Sequence, residues 1–168
     1  GNPNLLETKQ TEYNYKYYQV PPQKINDEII SSTTIKQLLE AGNIEKANKM
    51  LGYEFSIKGK VIHGNHIGRT IGFPTANTEY PKSIVKIPYG VYCTKVDYKY
   101  SVTNYGEKPT IGQNKPIVET HILKFDKDIY DTYINIDFIK KIRNEKRFNS
   151  LDELKLQINK DTETCLKL

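Results

Sequence analysis

The sequence predicts a mainly β domain, an antiparallel sheet or barrel with helices before and after it, on three observations. From Tyr53 onward, short runs rich in Val, Ile, Thr and Tyr recur at close intervals between turn residues, the pattern of strands that pair with their neighbours. Two short segments with capping residues precede these runs, and a longer segment with an apolar stripe at helical spacing follows them. The chain has 168 residues, room for one domain with a core and an appendage, because single domains peak at roughly 100–150 residues.

Taken in order, residues 1–30 are polar, carry Pro21-Pro22 and are expected to form an extended segment and loop. Ser31-Ser32-Thr33-Thr34 then offers capping hydroxyls ahead of Ile35, Leu38 and Leu39, and Ala41-Gly42 ends that helix. Asn43 can cap a second helix from Ile44 to Leu51, with Ile44, Ala47 and Leu51 on one face and Gly52 as terminator. The pair is a helical hairpin too small to stand alone. Candidate strands follow at 55–63, 90–96, 100–104, 117–125 and 132–142. A final helix is expected from Ser150, where Ser150 and Glu153 have the spacing of a capping box and Leu151, Leu154 and Ile158 form the stripe that would pack on the sheet.

Composition narrows the function classes. Apolar residues are 37% of the chain, its mean hydropathy is −0.65, and no apolar run approaches the ~20 residues of a membrane span. The amino terminus lacks the basic-then-apolar pattern of a signal peptide, so a cytoplasmic protein is expected. Because the chain begins with Gly1 rather than Met, a fragment of a longer gene product is expected as well. Cys93 and Cys165 are far apart and outside any Cys-x-x-Cys pair, which reads as two reduced structural thiols. The net charge of +5 suits nucleic acid, a membrane surface or an anionic ligand, but the basic residues are spread without a block, as on an ordinary solvated surface. No internal repeat or low-complexity tract interrupts the pattern.

The segment that stands apart is Gly64-Asn65-His66-Ile67-Gly68-Arg69-Thr70-Ile71-Gly72-Phe73-Pro74-Thr75-Ala76-Asn77, directly after a strand. Its glycines permit close backbone approach, so that successive N–H groups can converge on phosphate oxygens, and Arg69 adds a cation. It is not the usual P-loop, which has a Lys after its second glycine. If Thr75 and Asn77 lie on extended chain, their side chains project to the same side and place a hydroxyl beside an amide oxygen, two hard donors suited to Mg²⁺. A plain turn with a hydrogen-bonding Asn is the ordinary reading of the same residues.

Glu119 sits in the apolar run Ile117-Val118-Glu119-Thr120-His121-Ile122-Leu123. Such a carboxylate faces solvent, is paired, or serves a site, and in a site it can orient an alcohol and accept its proton. Arg143-Asn144-Glu145-Lys146-Arg147-Phe148 reads as a charged loop in which Phe148 could stack on a planar ligand flanked by Arg. His63, His66 and His121 share no metal-ligand spacing. The 13 Tyr fall partly in the polar amino-terminal stretch and otherwise fit strands.

Together, Gly59-Lys60-Val61, the 64–77 segment, Pro88-Tyr89-Gly90-Val91-Tyr92, Pro109-Thr110, Val118-Glu119-Thr120-His121 and the 143–148 cluster resemble the riboflavin kinase family in order and spacing, from about Tyr53 to the end. The combined Gly-Arg-x-x-Gly-Phe-Pro-Thr-Ala-Asn and Glu-Thr-His signature is far more specific than any of its parts. The resemblance implies a six-stranded antiparallel Greek-key barrel with a packed carboxy-terminal helix, and Mg²⁺- and ATP-dependent phosphorylation of the riboflavin 5′-hydroxyl to FMN. It implies that Thr75 and Asn77 hold Mg²⁺ and phosphates, that the loop with Gly64 and Arg69 closes over ATP, and that Glu119 is the base. It also implies Ile122, Lys124 and Tyr130 near the nucleotide, and Arg143, Lys146 and Phe148 near the flavin ring. The implied partners are riboflavin and ATP, with neither nucleic acid nor membrane.

Residues 28–52, above all Ile30-Ser31-Ser32-Thr33-Thr34-Ile35-Lys36, resemble the end of the FMN adenylyltransferase domain that precedes the kinase in bacterial bifunctional FAD synthetases, with Lys36 where the family usually has Arg. The division implied is a remnant of that domain at 1–52 and a kinase domain at 53–168. The upstream nucleotide-binding fold is not in these 168 residues, so FMN adenylyltransferase activity is not expected of them, and the adenylyltransferase domain becomes an expected partner. Two readings from other classes stand beside this one. A basic β-barrel that binds single-stranded nucleic acid would show steep salt dependence, and a non-catalytic flavin-binding module would bind riboflavin without forming ADP.

Overall fold

A computed structural model describes residues 2–64, 67–110 and 113–168, and the chain divides into two compact units, 1–31 and 32–168. Asn65 and His66 of the glycine-rich segment lie outside the described residues, as does Gly1. The first unit differs from the extended segment expected of residues 1–30. Asn2 caps a short helix α1, Pro3–Thr8, through Asn4 N at 3.1 Å, with Pro at its first position. After helix α2, Gln10–Tyr13, comes a small hairpin of strands β1, Lys24–Ile25, and β2, Glu28–Ile29, turned by Asn26 and Asp27 at positive φ. Asn and Asp tolerate that conformation, which supplies the turn without glycine.

The second unit opens with the expected helical hairpin, α3 (Ser32–Glu40) and α4 (Ile44–Leu51). Asn43 accepts from Lys46 N, and Gly52 closes α4 at a φ of 77°, a left-handed cap that glycine adopts without strain. Then come β3 (Phe55–Lys60), the single turn α5 (Ile67–Thr70), β4 (Ala76–Glu79), β5 (Gly90–Val96), β6 (Lys99–Thr110), β7 (Gln113–Ile122), β8 (Tyr133–Arg143) and α6 (Leu151–Leu166). The six longer strands form one antiparallel sheet in the order β3-β8-β5-β6-β7-β4. Because β4 lies beside β7 at the far end of the β5-β6-β7 meander, the topology is a Greek key. A bridge from Ile62 to Asn77, with Ile62 N donating to Asn77 O at 2.8 Å, joins the two edges and nearly closes the barrel.

Alternation along the strands separates interior from exterior. Ile57, Tyr92, Tyr105, Val118, Ile136 and Phe138 fill the interior, and Leu39, Ile44 and Ala47 of the helical hairpin join the same core. Asn48 ties the hairpin to two strands, donating to Phe138 O at 2.8 Å and accepting from Phe55 N at 2.9 Å. Buried hydroxyls on neighbouring strands satisfy one another, Thr94 with Thr103 at 2.7 Å and Thr103 with Thr120 at 2.9 Å. Outside the barrel, Val91, Cys93 and Val102 pack against Cys165 of α6.

That contact corrects the expectation of two reduced thiols, for Cys93 and Cys165 form a disulfide across 72 residues, with Cα atoms 5.3 Å apart. Sequence spacing suggested no pairing because α6 returns to β5 only in the folded chain. Ser150 caps α6 through Glu153 N at 3.2 Å, and Glu153 reaches back to Asn149 N at 3.0 Å, so the capping pair forms with its return bond one residue early. Among the described residues no helix is long and apolar enough to cross a membrane.

Candidate active site

Register across the barrel gathers the polar residues. Asn77 on β4 pairs with Glu119 on β7, Glu119 with Asn104 on β6, Asn104 with Val91 on β5, and Val91 with Arg143 on β8. Paired residues project to the same face. Glu119 alternates with the buried Val118 and Thr120, and Asn104 with the buried Thr103 and Tyr105, so the row runs along the outside of the barrel. A strand pattern that needs apolar residues only on its inner face leaves the outer one available for chemistry.

Two cavities open on this row and meet at Thr75, which lines both. The first, about 180 Å³, is bounded by Arg69, Thr75, Asn77, Ile122, Phe125 and Tyr130. At its rim the Tyr130 ring stacks on His63 with centroids 4.1 Å apart. The neighbouring Lys60 bonds to Asp131 at 2.8 Å and holds that carboxyl below its ordinary range. The second cavity, about 320 Å³, is bounded by Phe73, Asn104, Glu119, Arg143, Lys146 and Phe148 among others. Its floor is the barrel wall, and Leu154 and Ile158 of α6 close one side.

Of the residues named from sequence, Arg69, Thr75, Asn77, Ile122 and Tyr130 thus surround one cavity, and Glu119, Arg143, Lys146 and Phe148 surround the other. Lys124 lines neither; it is exposed, at positive φ just beyond β7. Gly64 acts on the site through packing, since a Cβ there would overlap the side-chain amide of Asn77. Asn77 is buried, and its Oδ1 has no hydrogen-bond partner among the described residues. A buried oxygen left unpaired among the described residues, in the wall of a cavity that Thr75 also lines, fits a hard divalent cation such as Mg²⁺.

Sequence reasoning did not single out three contributors. His121, next but one to Glu119 and on the same face, bonds through Nδ1 to Pro74 O at 2.8 Å and meets Phe73 edge-on, with centroids 5.4 Å apart. It pins the segment that carries Thr75 to strand β7. Asn104 and Asp161 enter the second cavity only through cross-strand register and the return of α6. The Glu-Thr-His triplet could have pointed to His121, but no local signal marks the other two.

Comparison with known proteins bears on this geometry. The family model described as Flavokinase, riboflavin kinase, matches residues 51–168. The bifunctional riboflavin kinase/FMN adenylyltransferase of Haemophilus influenzae is 44% identical over 141 residues, covering 81% of this chain and 46% of the relative. The protein of the same name from Buchnera aphidicola subsp. Schizaphis graminum is 39% identical, covering 99% of this chain and 56% of the relative. A crystal structure described as that of a macrolide-efflux protein from Streptococcus pneumoniae superposes with a TM-score of 0.86 at 30% identity, over 96% of this chain and 55% of that one. The chain spans about half the length of the curated relatives it matches.

Proposed function

This chain belongs to the riboflavin kinase family, and on that premise we propose that it transfers the γ-phosphoryl group of ATP to the 5′-hydroxyl of riboflavin, giving FMN and ADP. The observation that carries the reading is the meeting of two cavities at Thr75, with the Asn77 oxygen on one side and the Glu119 carboxylate paired across from it on the other. Phosphoryl transfer requires a donor and an acceptor held in line, with charge stabilisation on the first and a proton acceptor at the second.

In this reading the nucleotide phosphates occupy the cavity with Arg69, and the flavin occupies the cavity with Arg143, Lys146 and Phe148. Glu119 orients the ribityl hydroxyl and takes its proton as the hydroxyl oxygen bonds to the γ-phosphorus. The bond from that phosphorus to the β,γ-bridging oxygen breaks, and ADP leaves with the electron pair. Arg69 and loop N–H groups stabilise the charge that develops on the phosphoryl oxygens. Thr75 and Asn77 would hold Mg²⁺, which when bound neutralises phosphate charge. The reading also takes residues 1–52 as the trailing end of an adenylyltransferase domain and 53–168 as the kinase domain, a division supported by the family match that starts at residue 51.

Glu119→Gln tests the proposal. It keeps size and polarity but cannot take the proton, so kcat should fall ~10²–10⁴-fold, the usual contribution of a general base, while riboflavin binding, read by fluorescence quenching, persists. Near-wild-type turnover in this variant would remove Glu119 from the role.

A further inference from the structure

The second cavity contains a charge that the proposed transfer does not use. Asp161, on α6, is 2% exposed. Its carboxylate accepts from Arg143 Nε at 3.1 Å to each oxygen, from Arg143 Nη2 at 2.8 Å and from Gln157 Nε2 at 2.9 Å. Arg143 Nη1 donates to Asn144 O at 3.0 Å. The edge of the guanidinium is therefore committed to protein acceptors, and what remains for a ligand is mainly its flat face. Its central carbon lies 5.8 Å from the centroid of the Phe148 ring. Lys146 Nζ lies 5.1 Å from the same centroid and donates to Gln157 Oε1 at 3.3 Å. Gln157 and Asp161 are four residues apart, one helical turn, so a single rail on α6 grips both cations round one aromatic ring.

Stability alone does not account for the rail. Taking a carboxylate and a guanidinium out of water is expensive, and an apolar pair of similar volume is often as stable or more so. The pair has a chemical effect that an apolar pair lacks: it keeps a planar cation in place while cancelling its charge. A free arginine in this wall would seek phosphate, whereas a compensated one offers a flat polarisable face.

We propose that Asp161, backed by Gln157, is a positioning residue for the acceptor, which fixes Arg143 face-on in the second cavity so that its wall selects a flat, uncharged ring. The proposal rests on the riboflavin kinase reading and adds to it the origin of acceptor specificity. Asp161 acts on the ligand through Arg143, whose guanidinium it holds. Its loss therefore acts on riboflavin affinity and leaves the ATP cavity, on the far side of Thr75, unchanged.

The experiment compares wild type, Asp161→Asn and the paired substitution Arg143→Met with Asp161→Leu in steady-state FMN formation, with thermal melting measured alongside. Asp161→Asn should raise the KM for riboflavin at least ~10-fold with kcat and the KM for ATP little changed, the signature of lost ground-state binding. The paired variant, with no buried charge left uncompensated, should melt near wild type and still show the raised riboflavin KM. This second arm carries the test even if Asp161→Asn fails to fold. A paired variant that regains both the wild-type melting temperature and the wild-type riboflavin KM would overturn the proposal, as would equal shifts in KM for both substrates in Asp161→Asn. If wild type itself forms no FMN, the kinase reading falls and the inference falls with it, a result distinct from active wild type with insensitive variants.

Discussion

Asn77 buries its side-chain amide in the wall of the first cavity. An amide oxygen enclosed without a partner among the described residues carries a penalty of about 1–3 kcal/mol, and packing at Gly64 holds the side chain in that position. In the proposed function, a bound Mg²⁺ is the partner that offsets this cost. Asn77→Ala should therefore raise the Mg²⁺ concentration needed for half-maximal FMN formation, and Gly64→Ala, by displacing the amide, should do the same. A metal titration superimposable on wild type for both variants would count against the donor set. At this scale much of the candidate site was legible in the sequence, because Thr75, Asn77 and Glu119 lie in short motifs. Asn104 and Asp161 were not, since their places depend on partners 15 and more residues away, Asn104 opposite Glu119 and Asp161 against Arg143.

Helix α6 closes the second cavity and is held at both ends by different means. Ser150 caps its start, and the disulfide from Cys165 to Cys93 fixes its end to β5. A bond closing so long a loop stabilises mainly by restricting the unfolded chain, typically by about 2–4 kcal/mol. Denaturant unfolding of Cys165→Ala, or of wild type with and without reductant, should show a loss in this range; identical midpoints would mean that packing alone seats the helix. The element shows what sequence can and cannot reveal. Caps at Asn43, Gly52 and Ser150 were readable because they involve residues three or four apart. The disulfide was not, and neither was β4, whose Asn77, Thr78 and Glu79 give a four-residue strand no apolar alternation to betray it. The hairpin β1-β2 escaped for the same reason, being only two residues on each side.

The core of the barrel buries three phenols, Tyr80, Tyr92 and Tyr105. Burial pushes the Tyr80 hydroxyl up to about 12 and raises Tyr92 and Tyr105 as well. Their folded values lie above the unfolded value near 10, so the folded state holds protons that the unfolded state releases. Their contribution is complete below about pH 10 and is lost as pH rises through the folded values. Urea midpoints should be insensitive to these groups up to about pH 10 and should fall steeply between about pH 10 and 12; a flat profile there would show that the phenols ionise in place. The same barrel that buries these rings carries two cavities that meet at Thr75, which the proposed function reads as one for a donor and one for an acceptor. The most direct measurement of that claim is chromatographic: incubate the protein with riboflavin, ATP and Mg²⁺ and quantify FMN and ADP together. The two products should appear in equal amounts and only when all three are present. Riboflavin bound without FMN, or ADP formed without riboflavin, would contradict it.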